Sequence, residues 1–178
     1  MKIFKSTNMG YMLYYCYSLT NINLSNFNTQ NVKNMRSLFY GCKSITNIDL
    51  SNFNTNKLEN MRAMFYNCEL LNNINLYNFI TDNVKDMSFL FYGCKNIKNI
   101  DLSNFNTNKL ENMQAMFDNC ELLNTIDLSN FNTDIVKDMS NLFYGYKNLN
   151  KENILTKDKT IRNKFENLFL WNILKLKK

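Results

Sequence analysis

The chain has 178 residues, 45% hydrophobic and 20% charged, which suits one globular domain with a real core and excludes a disordered segment. It contains no histidine and no proline, so the commonest general base and the commonest metal ligand are both missing. The net charge of +6 is uneven: residues 6–150 hold 11 basic and 12 acidic side chains, whereas residues 151–178 hold 8 and 3. A nucleic-acid binder carries its basic stripe on the folded body, so nucleic acid is disfavoured as a partner.

Residues 1–8 read as a lead-in. From residue 9 to residue 150 one pattern returns every 26 residues, making six coils. A methionine stands at Met9, Met35, Met61, Met87, Met113 and Met139, and a cysteine at Cys16, Cys42, Cys68, Cys94 and Cys120, with Tyr146 in the sixth place. A fixed period of this length marks stacked coils, each burying its apolar face on its neighbours. The apolar stretch after Lys2 and Lys5 keeps that register at Met9 and Cys16 and lacks a small-residue cleavage site. It reads as the first coil, not as a secretory signal. No stretch is long and apolar enough to span a membrane.

Each coil is predicted to begin with a strand, because Ile48-Asp49-Leu50-Ser51 alternates apolar with polar. A bend rich in Thr and Asn follows, marked by Phe27, Phe53, Phe79, Phe105 and Phe131. Met61, Met64, Phe65 and Cys68 then fall at spacings of 3, 4 and 7 from the methionine, which predicts a short helix. Near its end Gly41, Gly93 and Gly145 alternate with Asn67 and Asn119, residues that tolerate left-handed backbone. The fold class is therefore an α/β repeat, with one short strand and one short helix per 26-residue coil.

Two charged rows alternate in sign from coil to coil: Lys33, Glu59, Lys85, Glu111, Lys137 and Lys43, Glu69, Lys95, Glu121, Lys147. In-register stacking gives every charge opposite neighbours, and a slip of one coil sets like against like. The cysteine row allows buried packing, bridges between coils or a metal. Tyr146 in its sixth place favours packing, and no C-x-x-C pair supports a metal.

After residue 150 the pattern stops. Ile161, Phe165, Leu168, Phe169 and Leu176 share one face of a C-terminal helix, which either caps the last coil or lies on a membrane surface. The apolar coil ends also invite self-association.

The chain has no G-x-S-x-G, no glycine-rich phosphate loop and no Cys–His pair, so a non-enzymatic role without a cofactor is expected. The outward strand side carries Asn23, Asp49, Asn75, Tyr77, Asp101 and Asp127. It is either a solvated face or a recognition surface for a protein or glycan. Asp101 and Asp127 would stack as neighbours, but two carboxylates make a poor cation site. The competing reading is a structural piece that assembles through its coil ends.

The unit ITNIDLSNFNT (45–55) with LENMRAMFYNC (58–68) resembles the bacterial surface-protein 26-residue repeat of the BspA-like leucine-rich repeats. The resemblance covers residues 9–150. It implies a right-handed leucine-rich-repeat-like solenoid with a parallel sheet, and a role in adhesion or host-protein binding, with no catalytic residues to carry over. One departure stands out: phenylalanine, such as Phe53, occupies the place of the usual leucine-rich-repeat asparagine.

Overall fold

The computed structural model describes residues 6–176, with side chains through residue 168. Strands β1 (Asn47–Ile48) and β2 (Asn73–Ile74) form one parallel pair, with Asn47 opposite Asn73. β3 (Asn99–Asp101), β4 (Thr125–Asp127) and β5 (Ile154–Leu155) form a second parallel sheet. Ile100 faces Ile126 and Asp101 faces Asp127, so the sheet register equals the sequence period. Ile48, Ile100 and Ile126 point inward while Asp49 and Asp101 point out, as alternation requires.

β5 lies beyond the end of the visible repeat. Ile154 pairs with Ile126 at an offset of 28 residues rather than 26, because a 3-10 turn at Lys151–Asn153 precedes it. That shift of two residues hides the last strand from a count of period 26. Helix α1 (Lys159–Leu176) follows and lays Ile161 and Phe165 on the final coil. Phe169 and Leu176 of the expected apolar face lie outside the described side chains.

The short helix expected in each coil is absent; a chain of turns takes its place. The amides of Met64, Tyr66 and Cys68 donate to the carbonyls of Met61, Ala63 and Phe65, three residues back. Those of Met61, Ala63, Phe65 and Asn67 leave the coil and donate to Asp86, Ser88, Leu90 and Tyr92 of the next one, at 2.7–3.0 Å. An α-helix would send each of these amides to the fourth residue back along its own chain. The 3, 4, 7 spacing survives, since alternate turns also bring Met61, Met64, Phe65 and Cys68 to the inside.

Left-handed backbone makes this possible. Gly41, Asn67, Gly93, Asn119 and Gly145 all have positive φ, as their residue types lead one to expect. Ser37, Ala63, Phe89, Ala115 and Asn141, two residues after each methionine, are left-handed too. For an Ala or Phe this costs about 1–2 kcal/mol, which the bonds to the neighbouring coil offset.

Three further rows tie coil to coil. Buried Thr29, Thr81 and Thr107 each donate a hydroxyl to a carbonyl 25 residues on, and accept the amide of that same residue. Asn34, Asn60, Asp86, Asn112 and Asp138 accept the amide two residues on and bridge in parallel from coil to coil. Asn104 donates to the carbonyls of Leu76, Tyr77 and Phe79, and Asn78 to Ser51. The side-chain ladder of the bend is thus made by the asparagine one place before the phenylalanine.

Down the middle, Phe39, Phe65, Phe91, Phe117 and Phe143 stack at 5.4–6.0 Å, nearly parallel, and Phe165 of α1 closes the column edge-on at 5.9 Å. The cysteines are free thiols. Cys42, Cys68, Cys94 and Cys120 are buried and donate to the carbonyls of Leu13, Phe39, Phe65 and Phe91. Burial pushes the Cys42 thiol up to about 11 and the three deeper ones in the same direction. They pack as apolar side chains.

The charged rows form ion pairs of the expected kind. Glu69 lies between Lys43 at 2.8 Å and Lys95 at 3.0 Å, Lys33 meets Glu59 at 2.9 Å, and Glu111 and Glu121 meet Lys137 and Lys147. All are substantially exposed and screened by water, so each adds little to stability and serves register more.

Candidate functional site

The outward strand positions are held by turns at the strand ends. Asn23, Asn75, Asp49, Asp101 and Asp127 each accept, on Oδ1, the amide two residues ahead, at 2.9–3.0 Å. These side chains therefore have a structural task before any ligand arrives: they stop the strand and turn the chain. The Ser51 amide and hydroxyl hold the Asp49 carboxyl below its ordinary range, and the Ser103 hydroxyl and amide do the same for Asp101. Both are anionic at neutral pH.

Tyr77 stands apart. Its row otherwise holds Ser25, Ser51, Ser103 and Ser129, and its side chain is 76% exposed. Its amide donates to Asn75 and its carbonyl accepts from Asn104 at 2.8 Å, so the backbone that carries the ring is fixed from two coils. Around it lies a shallow cleft of about 300 Å³ lined by Asn73, Asn75, Tyr77, Asp101 and Asn104.

Of the six residues singled out, Asn75, Tyr77 and Asp101 thus share one cleft. Asp127 adjoins Asp101 across the β3–β4 pair. Asp49 and Asn23 lie outside the cleft, on coils nearer the start of the chain. Asn104 was missed. Its residue type recurs at the same place five times, and nothing in the sequence shows that this copy clamps three carbonyls beside the tyrosine.

The cleft offers an exposed ring, side-chain amides and one carboxylate around a concave surface. Among the described residues no three metal-ligating side chains come together, and no helix is long and apolar enough to cross a membrane.

A family model described as "Mycoplasma protein of unknown function, DUF285" matches residues 2–98 and, in an overlapping second segment, 72–172. The chain belongs to this family. The second segment takes in β5 and most of α1, so the DUF285 match extends past the last visible repeat. No curated protein and no solved structure matches the chain.

Proposed function

We propose that the chain is a non-enzymatic interaction module that takes a protein or glycan ligand on the outward strand face at Tyr77. The observation that carries this reading is the cleft where Tyr77, Asn75 and Asp101 converge. A flat ring beside amide and carboxylate groups suits a ligand with one apolar face and hydroxyl or amide edges. The ring breaks a row of serines and is left exposed, a loss of apolar burial with no structural return.

The resemblance to the BspA-like repeats supports the wider setting of this proposal. In it the stack is a right-handed leucine-rich-repeat-like solenoid of surface-protein type, and adhesion is the use of its face.

The test is a glycan array and a displayed-peptide library, each screened with the unaltered chain, Tyr77→Ala, Asp101→Asn and a control, Lys109→Ala, whose ammonium donates to Asn83 outside the cleft. A hit that weakens at least tenfold, about 1.4 kcal/mol, in Tyr77→Ala and Asp101→Asn, and is kept in Lys109→Ala, supports the proposal. Hits indifferent to Tyr77 and Asp101 remove it.

A further inference from the structure

The turn segments carry a direction. From the first coil to the fifth, the amides of alternate residues point to the next coil, and from the second to the sixth the carbonyls between them accept from the previous one. Met9, Tyr11, Leu13 and Tyr15 donate to Asn34, Arg36, Leu38 and Tyr40 in this way. The first coil therefore presents carbonyls at its outer edge. Among the described residues no donor meets those of Gly10, Met12 and Tyr14.

At the other end the polarity is reversed. The amides of Met139, Asn141, Phe143 and Gly145 occupy the donating places of the sixth coil, and among the described residues no acceptor meets them. Here α1 intervenes, with Phe165 against Phe143 and a narrow cleft lined by Asn141, Phe143, Lys164 and Leu168.

The outer edge of the first coil is apolar as well as one-sided. Tyr11, Tyr14, Tyr15 and Tyr17 are 40–49% exposed, and Tyr14 heads a ring stack that continues through Tyr40, Tyr66 and Tyr92 at 4.3–4.7 Å. Thr7 and Tyr17 occupy the two charged rows in this coil, so an incoming coil meets no like charge there.

We propose that the first-coil edge, with the carbonyls of Gly10, Met12 and Tyr14, is a docking edge for an amide-edged repeat coil of the same 26-residue kind on another polypeptide, and that α1 keeps this chain from being its own partner. Two copies joined by their first coils would oppose carbonyl to carbonyl, and two joined by their last coils would oppose amide to amide. Only a first coil on a last coil matches, and α1 covers the last coil. This deepens the assembly reading and is independent of the Tyr77 cleft, which lies on another side of the coil.

The experiment displaces α1 with Ile161→Asp and Phe165→Asp in the full chain and follows mass by analytical ultracentrifugation. The unaltered chain is expected to remain monomeric, and the variant to grow into larger species with concentration. Adding the unaltered chain should shorten those species, because it offers a carbonyl edge and no free amide edge, and so ends growth. A folded variant that stays monomeric overturns the proposal, as do species that the unaltered chain does not shorten.

Should the variant fail to fold, a second protein decides. A copy of residues 35–86 is inserted between residues 8 and 9, which preserves the period and places an amide edge on the first coil. Tyr11, Tyr14 and Tyr15 should then lose most of their reactivity to nitration and the thermal midpoint should rise. Unchanged reactivity overturns the proposal.

Discussion

Replacing Asp158 with alanine is expected to destabilise the protein by about 2–4 kcal/mol, because one carboxylate closes the repeat and opens the helix at once. Oδ2 accepts the Thr133 amide at 2.9 Å and the Thr133 hydroxyl at 2.8 Å. Oδ1 accepts the amides of Thr160 and Ile161 in the first turn of α1. The offset from Thr133 to Asp158 is 25 residues, the same as from Thr107 to Asn132. The carboxylate thus takes the place of the carbonyl that a next coil offers the threonine hydroxyl elsewhere. Loss of the helix cap accounts for about 1 kcal/mol, and the stranded buried amide and hydroxyl of Thr133 account for the remainder. Asp158→Asn keeps an oxygen for the cap and should lose less. Urea midpoints measure both, and a loss below about 0.5 kcal/mol for Asp158→Ala would show that the last coil needs no closure.

Replacing Asp118 with asparagine is expected to stabilise the protein at mildly alkaline pH and to do almost nothing in acid. Asp118 interrupts the row of Tyr40, Tyr66, Tyr92 and Tyr144. It is 5% exposed, and among the described residues its Oδ1 has no hydrogen-bond partner. Burial raises its carboxyl from 3.8 to about 6. Since the folded value lies above the unfolded one, the folded chain holds the proton over a wider range. Stability from this residue is full below about pH 4 and is lost as pH rises through about 6, where the ion must form in a buried place. A shift of about two pKa units corresponds to about 3 kcal/mol at about pH 8. The carboxylates of Glu69, Glu121 and Asp138 run the other way, their values being lowered, so their stabilisation is lost in acid. Subtracting the variant's urea curve from that of the unaltered chain at each pH removes them. A difference that is flat with pH would mean that Asp118 is hydrated. Asp118→Tyr should add stacking contacts to the same pH-dependent gain.

These two carboxylates show where sequence reading stops. The 26-residue spacing, the inward isoleucines and leucines and the alternating lysine and glutamate rows are repeated features, and each was legible because five or six copies say the same thing. Asp118 and Asp158 each occur once, and their meaning depends on what surrounds them. The helix expected over residues 61–68 failed for a different reason. Spacings of 3 and 4 report which side chains face inward, and consecutive turns produce them as well as a helix does. Left-handed backbone at Ala63 and Phe89 carries no residue signature, whereas at Gly93 it does. The threonine ladder was visible only as a polar bend, since burial turns a polar row into a structural one. In the cleft, Tyr77 was conspicuous as an exception among serines, while Asn104 was hidden by being ordinary.

The direction of the backbone hydrogen bonds in the turn segments underlies both the stack and its one-sided edges. Scalar couplings across those bonds, measured by NMR on the deuterated chain, read that direction bond by bond. The amide nitrogen of Phe65 is expected to couple to the carbonyl carbon of Leu90, and that of Asn67 to Tyr92, each in the next coil. Coupling of Phe65 to the carbonyl of Met61, four residues back in its own coil, would restore the helix and contradict the stack of turns.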